Sequence, residues 1–132
     1  MTQADGKDLD TSTATPDYGG DTITVIVVAI CSLERLRLLL EALRNQDAAP
    51  AFDVVVAADP NLGDLDHIRA DFPEMQILAR SGCRTPIELT TLGLDAARGA
   101  RILLTEDSCL PKSNWVNELA GRDVCSTPIV VD

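Results

Sequence analysis

The run "TITVIVVAI", residues 22–30, constrains this chain most. It is continuous in β-branched and apolar residues. A strand wet on one face alternates apolar and polar side chains; an unbroken apolar run has both faces covered. Only 3% of the chain is aromatic. The core must therefore be built from Val, Leu, Ile and Ala, which suits a parallel sheet between helices.

The rest of the chain repeats the theme. Ser32 can cap a helix, and Leu33, Leu36, Leu39, Leu40 and Leu43 follow at helical spacing through "LERLRLLLEALRNQ". "FDVVVAAD", residues 52–59, predicts a second buried strand, broken by "PNLGD". A short helix around "LDHIRADF" and a third strand over "EMQILA", residues 74–79, come next. "TPIE", residues 85–88, supplies a Thr cap, a Pro in the first helical position and a Glu three after the cap. Arg98 and Gly99 predict the end of that helix. "ARILLT" predicts strand four, and "SNWVNELAG" a short helix capped at Ser113 and stopped at Gly121. "DVCSTPIVVD" predicts one or two last extended pieces.

The alternation βαβαβαβ predicts an α/β fold, a Rossmann-like three-layer sandwich with a mostly parallel sheet and right-handed crossovers. Residues 1–21, polar and acidic without apolar periodicity, are expected to be a disordered arm. Residues 22–132 are expected to form one domain, truncated, since the chain stops on the apolar run "PIVV".

The net charge of −10 repels phosphate backbones, so no nucleic-acid partner is expected. A small anionic ligand would need a metal or local arginines. Cys31, Cys83, Cys109 and Cys125 show no CxxC spacing, and His67 is the only histidine. Free thiols in a reducing, cytoplasmic compartment are expected rather than zinc. No transmembrane segment or signal peptide is expected.

Ligands of open α/β sheets bind beyond the carboxyl ends of the strands. Three such ends carry usable groups: Cys31-Ser32, Asp59, and Glu106-Asp107-Ser108. Paired acids there either begin a solvated loop or cap, or make a hard oxygen site suited to Mg2+ or Mn2+ with ligand phosphates. Asp59 in Asp-Pro-Asn is also an ordinary turn signal. Trp115 is expected in the core and His67 in solvent. The GxGxxG, Walker and GxSxG motifs are absent, which removes dinucleotide oxidoreductases, P-loop NTPases and α/β-hydrolases.

Three stretches together resemble family 2 glycosyltransferases. "ITVIVVAICSLERLRLLLEAL" resembles their opening strand, loop and helix, and "FDVVVAAD" their second strand. "LGLDAARGARILLTEDSCLPKSNWVNEL" resembles their most characteristic stretch, in which an Ala-rich helix end and a Gly lead into an apolar strand, a DxD-type acidic motif, a Pro and a Trp-bearing helix. The similarity spans roughly residues 23–130.

The resemblance implies a partial GT-A fold whose nucleotide-binding half takes a nucleotide-diphosphate sugar with Mg2+ or Mn2+. It implies that Cys31, Asp59, Arg84 and Glu106 contact the sugar nucleotide and that Asp107 and Ser108 hold the metal. No catalytic residue is assigned, because the half carrying the acceptor and general base would follow Asp132. The chain departs from the family at Ala58, where a first Asp is usual, and at Ser108, the third acidic position. An incomplete sheet would also leave an edge exposed, so self-association is expected. A catalytically inactive remnant or interaction module on the same scaffold is the alternative function.

Overall fold

The computed structural model describes residues 22–47 and 51–120. The expected arm, Gly121, Cys125 and the last extended pieces lie outside them. In chain order the elements are β1 (Ile23–Ala29), α1 (Leu33–Arg44), β2 (Asp53–Ala58), α2 (Leu65–Asp71), β3 (Gln76–Leu78), α3 (Pro86–Ala96), β4 (Arg101–Glu106) and α4 (Trp115–Ala120). The strands form one sheet in the order β3-β2-β1-β4. Every pairing is parallel: Val25 faces Val54 and Leu103, and Val56 faces Ile77. The fold is therefore α/β, with a parallel sheet in a Rossmann-like three-layer arrangement.

All seven residues of β1 are buried, as an unbroken apolar run at the sheet's centre requires. Successive side chains point to opposite faces. Ile23, Val25, Val27 and Ala29 join the larger core, with Leu36, Leu39, Leu40 and Leu43 of α1, Leu65 and Ile68 of α2, and Trp115, Val116 and Leu119 of α4. Val28 joins Ala57 and the α3 residues Leu89 and Leu92 in a smaller core on the opposite face. The connections β1-to-β2 and β2-to-β3 run one way along the sheet, and β3-to-β4 runs the other. Crossovers of one hand must then place α1 and α2 on one face and α3 on the other, as observed.

Local chemistry sets the helix starts. The Ser32 hydroxyl accepts the Arg35 N–H at 3.1 Å. At α3 the Glu88 N–H donates to Thr85 Oγ1 at 3.2 Å. The Arg84 and Thr85 N–H groups donate to Glu88 Oε1 at 3.0 and 3.1 Å. This is the reciprocal capping box expected from "TPIE". Those backbone donors, Arg84 first, hold Glu88 below the ordinary carboxylate value.

The third strand, expected over residues 74–79, is only Gln76–Leu78, and two helix boundaries differ. The third helix ends at Ala96, with Ala97 already extended, rather than at Arg98 and Gly99. Gly99 instead passes β1 closely. Its N–H donates to Thr24 Oγ1 at 2.8 Å, and a Cβ there would sit 2.6 Å from the Thr24 backbone nitrogen. The last helix begins at Trp115, not after a Ser113 cap. The Ser113 carbonyl accepts the Asp47 N–H instead, at 2.7 Å. Because the Gly99 neighbour is backbone of the central strand, Gly99→Ala is expected to cost about 2 kcal/mol. Urea denaturation of the two proteins checks this through the midpoint at constant slope.

Trp115 is buried in the larger core and His67 is exposed, as expected. Cys31, Cys83 and Cys109 are free thiols. No helix among the described residues is long and apolar enough to cross a membrane.

Candidate functional site at the switch between β1 and β4

The sheet order creates a topological switch. From β1 the chain moves outward through β2 to β3, then returns to place β4 on the other side of β1. In open parallel sheets the crevice at the strand ends of such a switch is where ligands sit. Here it is bounded by Ile30-Cys31-Ser32 after β1 and Glu106-Asp107-Ser108 at and beyond the end of β4.

Asp107 joins the two segments. Its N–H donates to the Val28 carbonyl at 3.0 Å, continuing the β1–β4 ladder past the end of the strand. Its side chain turns inward and the residue is 1% exposed. Oδ1 accepts the Ile30 N–H at 3.1 Å. Oδ2 accepts the Cys31 N–H at 2.8 Å and the Ser32 N–H at 3.3 Å. Three successive amides thus converge on one carboxylate, at the start of α1, where the helix dipole also favours negative charge.

The neighbouring acid is placed differently. Glu106 is half-buried and Ser108 is exposed. The Ser108 hydroxyl lies 3.5 Å from Glu106 Oε1, and the Cys109 N–H returns to the Glu106 carbonyl at 3.1 Å. A signal for this division is present in the strand. Leu103, Thr105 and Asp107 are buried while Glu106 and Ser108 are not, so the period of two runs past the end of β4.

Cys31 is exposed at the rim. Partial loss of water around its sulfur, and after that the Asp107 carboxylate beside it, push its thiol above the ordinary value of 9.0. At neutral pH it is a neutral hydrogen-bonding group and a poor nucleophile.

On the other side of β1, Asp59 follows β2. Its N–H donates to the Ala29 carbonyl at 3.0 Å. Its Oδ1 accepts the Asn61 N–H at 2.9 Å, which accounts for the turn, and lies 3.9 Å from Arg84 Nε. The structure therefore brings Asp59 and Arg84 together, although they are distant in sequence. Ala58, where the family pattern has an acid, is fully buried.

The fit to a divalent cation is uneven. Oδ2 of Asp107 already accepts two amides and Oδ1 a third, and the group has almost no exposed surface. A cation there would have to strip those amides. Glu106 and Ser108 have the exposure Asp107 lacks, but offer one carboxylate and one hydroxyl. Among the described residues no group of three or more His, Cys, Asp or Glu side chains is gathered to hold a metal. Mg2+ and Mn2+ commonly take one or two protein ligands and complete the shell with phosphate and water.

Comparisons of the chain with protein-family models, with curated proteins and with solved structures found no match.

Proposed function

We propose that the crevice at the β1–β4 switch is a donor site for a nucleotide-diphosphate sugar, serving glycosyl transfer. The carrying observation is the convergence at one end of the sheet. Cys31, the Asp59–Arg84 pair, Glu106 and Ser108 lie there on different elements, around the strand ends where this architecture takes ligands. Asp59 and Arg84 offer an acceptor and a cationic donor beside β2, suited to the polar edge of a nucleoside. Glu106 would accept from ribose hydroxyls and, with Ser108, stand near the diphosphate. A divalent cation held by Glu106 and the ligand's own phosphates would offset the repulsion between a diphosphate and a chain of net charge −10, and would stabilise the leaving diphosphate as a Lewis acid. Equilibrium dialysis of labelled donors in Mn2+ and in chelator tests this. Retention that needs metal and disappears in Glu106→Gln supports the reading; no retention of any common donor sinks it.

A second reading is a non-enzymatic module that self-associates through its sheet edge. It is favoured by β4, which ends the sheet among the described residues with Ile102 and Leu104 only half-buried. A monomer that stays monomeric at high concentration in light scattering would remove it.

A further inference from the structure

We propose that Asp107 positions the donor site rather than ligating in it. Its carboxylate is the resident anion of the Ile30–Cys31–Ser32 amide nest, and by holding that loop it fixes Cys31 at the rim and leaves Glu106 and Ser108 to meet the diphosphate.

The adjacent acids are easily read as two ligands of one metal. The geometry divides them. Asp107 is 1% exposed and its oxygens take three backbone donors from across the switch. Successive backbone N–H groups converging at a helix start make an anion-binding concavity. In many nucleotide-binding folds such a concavity receives a ligand phosphate; here the chain fills it with its own carboxylate. Two consequences follow. The diphosphate is excluded from the β1–α1 amides and must lie toward β4, beside Glu106 and Ser108. The β1–α1 loop is preformed without ligand, because its donors are satisfied already. Ser32, the third amide donor, is also the α1 cap, so the same contact ties the loop to the helix.

This role rests on the donor-site reading for its purpose, while the nest itself can be tested without any donor. Asp107→Ala removes the carboxylate and leaves a space the size of formate facing three amides. Formate, compared with chloride at equal ionic strength, is expected to raise the melting temperature of Asp107→Ala saturably and to leave the wild type and Glu106→Gln unchanged. Asp107→Asn keeps the volume and one acceptor oxygen, so it serves if the Ala variant does not fold. In it the Cys31 and Ser32 amides are expected to exchange with deuterium at least tenfold faster than in Glu106→Gln. Donor retention should fall in Asp107→Asn, and in Asp107→Ala it should return with formate. No formate response together with unchanged exchange at residues 30–32 would overturn the nest. Accelerated exchange with undiminished donor binding would overturn the positioning role. A wild type that binds no donor, with formate rescue intact, would fail the donor-site reading alone.

Discussion

Asp107→Ala is expected to lose about 3 kcal/mol of stability, since each buried N–H left without a partner costs about 1–3 kcal/mol and the partial exposure of the loop moderates the sum. The neighbours supply the control. Glu106→Gln and Ser108→Ala alter groups with water access, and each should stay within about 0.5 kcal/mol of the wild type. Chemical denaturation of the three variants checks this in one experiment. A loss from Asp107→Ala no larger than the other two would mean that the amide contacts are not maintained in solution.

Phe72→Ala is expected to cost about 3–5 kcal/mol, the range for truncating a buried aromatic. Phe72 is 1% exposed and follows α2 directly. It packs in the larger core with Ile68, Met75 and Ile77. Its outer face carries the Arg44 guanidinium, 4.4 Å from the ring centroid. Arg44 in turn donates to both carboxylate oxygens of Glu74, at 2.8 and 2.9 Å. Those hydrogen bonds hold Glu74 below and Arg44 above their ordinary values. Truncation removes the ring from the core and the platform from the arginine together. Phe72 supplies no group to the proposed donor site, so donor affinity of the folded fraction should not change. Calorimetry for stability and dialysis for binding separate the two effects.

These two residues also mark how far the sequence was readable. Phe72 closes the stretch read as a short helix, and its place in the larger core comes from the structure. The apolar runs located the four described strands, β1 most clearly, because two covered faces leave it no room for polar alternation. The capping box at Thr85 and Glu88 was legible because its hydrogen bonds are local. Gly99 was not. A glycine after a basic residue at a helix end reads as a C-terminal cap, whereas here its small size serves the approach to Thr24, a contact set by tertiary packing. The burial of Asp107 was hidden for a similar reason. Two adjacent acids look alike in one dimension, and only the alternation along β4, carried past its last residue, separates the inward from the outward one. The Asp59–Arg84 pair needed the fold, since α3 and β2 meet only in three dimensions.

Thermal stability against a panel of nucleotide-diphosphate sugars, with and without Mn2+, tests the proposed donor site. A ligand at about a hundred times its dissociation constant adds roughly 2.7 kcal/mol to the folded state. At least one nucleotide is expected to give a shift of that order, present only with metal and absent in Glu106→Gln. A flat response across the whole panel, with and without metal, would mean that the crevice is not a donor site.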